Sequence, residues 1–227
     1  MTLTSTLNFD AIAEAAAVTV SAPWDVSGVA PTGAAAAAVH GARGARWSST
    51  DAYGRILYDF GSNQAGPLVL SWYMQIRTFS SANLYIAYVT DLLTGGTTQG
   101  DVRINATTNT ISIRNGVTAV ATSTATVSLD TIYRFEWRID ATANTQELRV
   151  YTGESTTPFI TLTGAWSSDT TRLLAVGPYI VAAGGSVDYD TVRIADDWVG
   201  PFGTSAPVTA WRVYTSTGWE PVFAHSL

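Results

Sequence analysis

Apolar and polar residues along this chain are arranged in short runs with the period of a pleated strand. The runs fall at 55–60, 68–79, 84–93, 101–106, 110–116, 126–129, 133–140, 146–153, 173–182 and 186–198. Each is rich in β-branched and aromatic residues and is bounded by Gly, Asn, Asp, Ser or Thr, the signature of strands joined by turns. Two runs show their faces plainly. In 68–77 the even positions are Leu68, Leu70, Trp72, Met74 and Ile76, and the odd ones include Ser71, Tyr73, Gln75 and Arg77. In 133–140 the odd positions are Tyr133, Phe135, Trp137 and Ile139, alternating with Arg134, Glu136, Arg138 and Asp140. Successive side chains of a strand point to opposite sides, so the apolar sets, Trp72 and Trp137 included, are expected in a core and the polar sets on an outward face. Strand 146–151 adds Glu147, Arg149 and Tyr151 to that outward face. About ten strands without intervening helices predict an antiparallel sandwich or barrel.

Helix signals are weak. The stretch 10–20 ends in a β-branched run, and the five alanines 34–38 lie between Gly33, Gly41 and Gly44, so one or two turns at most are expected there. The chain's 227 residues suffice for one large β domain with a full core. It contains no cysteine, which excludes disulfides and thiolate metal sites. Net charge is −6, a poor fit to nucleic-acid binding, which needs clustered cations. All twelve basic residues are arginine, so lysine-based catalysis is excluded. No run is long and apolar enough to span a membrane, and the start, MTLTSTLNFD, lacks the basic and apolar regions of a secretory signal.

The order of the pieces is distinctive: LNFD near the start, VHGARGARWSS after a Gly/Ala loop, YRFEWRIDATANTQELRVYTGES in the middle, and VDYDTVRIADDWVGPFG at the close. It resembles the concanavalin A-like (laminin-G-like) jelly-roll sandwiches found in structural proteins of tailed bacteriophages, minor tail and fibre proteins above all. The likeness spans about residues 7–203, and the closing strand is its most specific piece. The resemblance implies a two-sheet jelly roll in a virion, made in the host cytoplasm. Residues 1–6 are then an N-terminal segment, 7–203 the sandwich, and 204–227 a linker and aromatic arm. In that arm AWRVY and GWEPVF alternate like two strands about a TSTG turn, so Trp211, Tyr214, Trp219 and Phe223 are candidate assembly residues on a β-hairpin.

Candidate chemistry narrows the reading. Glycosidases of this fold carry paired carboxylates on one strand, and none of Glu14, Glu136, Glu147, Glu154 and Glu220 lies in such a run. A pair could assemble across strands, as Glu136 with Glu147, but Arg134, Arg138 and Arg149 crowd that face, and ion pairing is the simpler expectation. His40 and His225, the only histidines, have neither a nucleophile context nor zinc spacing. No cofactor is expected, with one metal to test: the fold often holds calcium, and Asp10 near the first strand could meet Asp188 and Asp190 in the last. Tyr73, Gln75, Arg77, Arg138, Arg149 and Tyr151 combine aromatic surface with hydrogen-bonding groups and are the candidate glycan site. Trp24, Trp47, Tyr53, Trp166 and Tyr179 are further aromatic options in loops. The expectation is a non-enzymatic virion protein, a minor tail or fibre component that binds host surface glycan. A head decoration protein of the same fold, or a free lectin module, is the alternative, and a glycan hydrolase is disfavoured. Expected partners are other virion proteins and further copies of the chain, with a trimer among the expected forms, and neither nucleic acid nor membrane.

Overall fold

The computed structural model describes residues 3–20, 24–28, 30–49, 54–64, 66–79, 83–90, 98–167, 171–180, 185–202, 211–215 and 218–222. They form two antiparallel sheets and a separate hairpin. The strands of the first sheet are β1 (Leu3–Leu7), β3 (Thr32–Ala34), β4 (Gly44–Ser49), β6 (Pro67–Thr78), β11 (Ile132–Asp140), β12 (Thr145–Thr152), β13 (Ile160–Ala165) and β15 (Gly185–Ala195). Their order is β13-β12-β11-β6-β15-β4-β3, with β1 also paired to β15. The second sheet holds β2 (Trp24–Gly28), β5 (Gly54–Asp59), β7 (Leu84–Thr90), β8 (Thr98–Ile104), β9 (Thr110–Asn115), β10 (Thr118–Thr126) and β14 (Leu173–Ile180), in the order β10-β9-β8-β7-β14-β5-β2. Among the described residues the one helical piece is a single 3-10 turn at Ala35–Ala37, as the glycine-bracketed alanines predict.

The core lies between the sheets and is built by the alternation read from the sequence. Leu68, Leu70, Trp72, Met74 and Ile76 of β6 and Tyr133, Phe135, Trp137 and Ile139 of β11 all enter it. Phe135 and Trp72 are cross-strand partners, and their rings stack at 5.1 Å and 6°. Burial of each such side chain contributes roughly 1.5–3 kcal/mol. The Tyr189 hydroxyl donates to the Ile86 carbonyl at 3.2 Å and so ties one sheet to the other. Trp24, Trp47 and Trp166 are buried in this core as well and are not loop platforms; Tyr53 lies outside the described residues.

The structure departs from the sequence expectation at several elements, the strand Trp24–Gly28 among them. Leu3–Leu7 is not a free segment: it pairs with Val192–Ala195 of β15, so the sandwich starts at Leu3 rather than residue 7. The run 126–129 lies at and beyond the end of a strand rather than forming one, and that strand is the Thr- and Ala-rich Thr118–Thr126, whose mostly exposed pattern gives no hydrophobic signal. Ile160–Ala165 is likewise a strand, and β10 packs against it across the open edge of the sandwich. Gly164 makes this approach possible, since a Cβ there would run into the Val120 side chain. In the C-terminal arm, Trp211–Thr215 and Gly218–Val222 pair as the expected hairpin, β16 and β17, with Tyr214 opposite Trp219; Phe223 lies outside the described residues.

Candidate functional site

The second face of the first sheet carries the polar alternation. Strand register sets its residues in lateral rows. One row runs Tyr151, Arg134, Tyr73, Asp190, and the next Arg149, Glu136, Ser71, Arg193. A third runs Glu147, Arg138, Val69, Ala195. A bulge between Asp190 and Arg193 puts Thr191 at φ +45°, an unusual conformation for a β-branched residue, and keeps both Asp190 and Arg193 on this face.

Most of this face is covered rather than solvated. Beyond β15 the chain turns back across it as a strap, residues 198–202. Trp198 lies on Val69, Ala195 and Val199, with the Arg149 guanidinium 3.8 Å over its ring. Gly200 donates its N–H to Glu136 Oε1 at 2.8 Å and accepts from Arg193 Nη2 at 2.9 Å. The Phe202 N–H reaches the Tyr73 hydroxyl at 2.9 Å and Glu154 Oε2 at 3.1 Å, and its ring stacks on His40 at 4.3 Å. Beneath the strap, Arg134 pairs with Glu136 at 3.0 Å, both side chains 1% exposed, and lies 4.0 Å over the Tyr151 ring. Tyr73 is fully buried; burial and its hydrogen bond to Glu154 push its hydroxyl up to about 12. Burial also pulls the Arg193 guanidinium below the usual arginine range.

The predicted glycan residues therefore divide. Tyr73 and Tyr151 are interior and offer no stacking surface: the strap reaches the Tyr73 hydroxyl and the Arg134 guanidinium lies over the Tyr151 ring, coverings the strand period cannot announce. Gln75 stays half-buried. Arg77 is committed to Asp188 at 2.7 Å, Asp130 at 3.0 Å and the Ala36 carbonyl at 2.6 Å. Arg138 and Arg149 remain accessible at the open end of the face, side chains 36% and 32% exposed. There a cleft of about 220 Å³ is lined by Arg138, Thr145, Gln146, Glu147, Thr163 and Gly164.

The three aspartates considered for calcium do not converge. Asp10 accepts the Ala42 and Arg43 N–H groups at 2.6 and 3.1 Å. Asp188 is held by Arg46 and Arg77, at 2.6 and 2.7 Å. Asp190 accepts the N–H groups of Val39, His40 and Thr191 at 2.7 to 2.8 Å, although burial still raises its carboxyl above the usual range. Each carboxylate is satisfied by donors of its own, and among the described residues no three His, Asp or Glu side chains form a metal-binding group.

One line of groups has the composition of a hydrolytic relay. His40 Nε2 meets Glu154 Oε1 at 2.6 Å, and Nδ1 meets the Thr191 hydroxyl at 3.3 Å. Thr191 is 1% exposed and its hydroxyl also contacts Asp190, so no substrate carbonyl can approach it. Through the His40–Phe202 stack the arrangement packs the strap against the sheet.

The outward face of the second sheet holds a further set that the sequence reading passed over. Arg103 forks onto the buried Asp101 at 2.5 and 2.8 Å and stacks 3.6 Å over Tyr85, while Arg55 donates to the Tyr88 hydroxyl at 2.8 Å. Burial raises the Asp101 carboxyl against the pull of Arg103. The alternation of Asp101 and Arg103 with Val102 and Ile104 was the available signal.

No known protein family matches the chain by sequence, and no curated protein does. Solved structures do match by shape. The exoplasmic/lumenal domain of VIP36, in a metal-free form, is 9% identical with a TM-score of 0.60, covering 99% of this chain and 100% of its own. Lectin II from Ulex europaeus is 10% identical with a TM-score of 0.54, covering 86% and 99%. The polysaccharide lyase family 7 alginate lyase AlgAT5 is 10% identical with a TM-score of 0.50, covering 67% and 77%. At these identities the likeness is one of architecture, and it fixes the fold of this chain as a concanavalin A-like jelly-roll sandwich.

Proposed function

We propose that this chain is a non-enzymatic, glycan-recognising structural component of a tailed-bacteriophage virion, a minor tail or fibre protein that assembles through its C-terminal arm. The observation that carries the non-enzymatic part is the neutralised polar face. Glu136 is tied to Arg134 and Gly200, Glu147 to Arg149, Glu154 to His40 and Tyr73, and Asp188 to two arginines. Hydrolysis of a glycosidic bond needs two carboxylates about 5–9.5 Å apart and open to the sugar. Glycan recognition is supported by the lectin likeness, which extends over most of the chain. The virion role rests on the resemblance of the VDYDTVRIADDWVGPFG close and on the aromatic hairpin after it. A two-stranded hairpin is marginal by itself in water, so the arm needs a surface to cover.

Deletion of 204–227 tests the assembly role. It begins beyond Phe202 and so leaves the strap in place. The expected result is a sandwich that melts as before but no longer oligomerises or enters particles, read by sedimentation and by particle composition. Unchanged assembly of the shortened chain overturns the reading.

A further inference from the structure

Arg138 and Glu147 stand directly opposite each other on β11 and β12. Opposite charges in that position ordinarily meet and stabilise the sheet. Here they do not. Arg138 turns along its own strand to Asp140, Nη2 to Oδ2 3.5 Å, and Glu147 turns along its own to Arg149, Nε to Oε1 2.7 Å. The space between them opens into the 220 Å³ cleft, with the Thr145 and Thr163 side chains exposed at its margin. Glu147 is held in this pose from behind, because its partner Arg149 is stacked on Trp198. Among the described residues Glu147 Oε2 accepts no hydrogen bond, and the accessible part of the Arg138 guanidinium is engaged only by the long Asp140 contact. Gln146 adds nothing open: its amide serves Trp137, Arg114 and Ala165.

We propose that this cleft is a sugar subsite that takes a vicinal diol of a neutral glycan residue. One hydroxyl donates to Glu147 Oε2 and accepts from the Arg138 guanidinium, completing in the complex the bridge that the free protein leaves open. The adjacent hydroxyl meets Thr145 or Thr163. The fixed charges around the cleft cancel, Arg138 and Arg149 against Asp140 and Glu147, so an uncharged sugar is favoured over an acidic one. Its volume is below the ~300–1,000 Å³ of pockets that engulf a drug-sized ligand, which fits a single terminal or branching sugar rather than a buried chain. The assignment rests on the glycan-recognition reading above and gives it a location on the side of the sandwich opposite Asp101 and Arg103.

The test uses the full chain on a printed array of oligosaccharides from bacterial lipopolysaccharides and capsules. Glu147→Gln and Arg138→Ala each remove a charged hydrogen-bonding group and are expected to weaken binding about tenfold or more. Thr163→Trp fills the cleft and is expected to abolish binding. All three sites are accessible, so melting temperatures should stay near wild type and report any loss of fold. If the wild type binds array glycans and the variants bind them equally well, the cleft assignment falls while glycan recognition stands. If binding persists only for acidic glycans and survives Glu147→Gln, the diol assignment falls. If the wild type binds no glycan on the array, both fall together.

Discussion

Replacing Arg134 by Met should be among the most damaging single changes to this sandwich that leaves its apolar core untouched. The side chain is 1% exposed, and its guanidinium meets Glu136 at 3.0 Å and the Ser155 carbonyl at 3.1 Å, with Tyr151 beneath it. Methionine keeps much of the volume but leaves the Glu136 carboxylate buried, with the Gly200 N–H as its one remaining hydrogen-bond donor among the described residues. Stranding one member of a buried ion pair costs about 3–5 kcal/mol. For a chain of this length each kcal/mol moves the melting point by about 2–4 °C, so a fall of roughly 6–20 °C is expected. The double variant Arg134→Met with Glu136→Gln removes the stranded charge and keeps an acceptor for Gly200; it should recover about half of the loss. Urea unfolding of wild type, single and double variants, with unchanged m-values, measures all three. A single variant that loses less than about 1 kcal/mol, or a double variant weaker than the single, would refute the view that this pair is a desolvated unit under the strap.

Other outcomes follow from the same structure. Gly41 sits at φ +71° with its missing Cβ aimed at the Asp10 carboxylate, whereas Gly61, at φ +74°, has open space. Both alanine variants carry the left-handed penalty of about 1–2 kcal/mol, but Gly41→Ala should cost more, by the displaced Asp10 cap, in paired thermal melts. The Asp59 carboxyl is held below its ordinary value of 3.8 by Arg172, which forks onto it at 3.0 Å, and by the Gly61 N–H. A depressed carboxyl contributes stability above its unfolded value and loses it as pH falls through the folded one. Asp59→Asn should therefore be less stable than wild type at neutral pH, with the gap starting to close as pH falls past the unfolded value and closing fully below the folded one, read as urea midpoints across an acid series; a constant gap at every pH contradicts this.

What could be read from the sequence was whatever obeys a two-residue period. The faces of β6 and β11 were legible because Trp72 and Trp137 alternate with charge. Strand β10 was not, because Thr and Ala carry little hydrophobic contrast. The polar face of β6, β11 and β12 was legible in the alternation, but its exposure was misjudged. Tyr73 looks solvated from β6 alone, and it is buried by Gly200 and Phe202, more than 120 positions away in a stretch that reads only as Gly and Pro. The aspartates were likewise recognisable as a group of acids. Their fate was set by which donors the folded loops bring, backbone N–H groups for Asp10 and Asp190 and two arginines for Asp188.

The strap also determines how the body would respond to a pull on the C-terminal arm. Traction on the chain beyond Phe202 is met first by the Tyr73, Glu154 and Glu136 hydrogen bonds and the His40 stack, not by the ladder of β15. Peeling those contacts frees seven residues, 196–202, which extend to about 24 Å before tension reaches the sheet. Strand β15 then bears the load between β6 on one side and β1 and β4 on the other. The strap thus lies in series with the sheet, and its contacts are the first that a pull from the C-terminal side has to break.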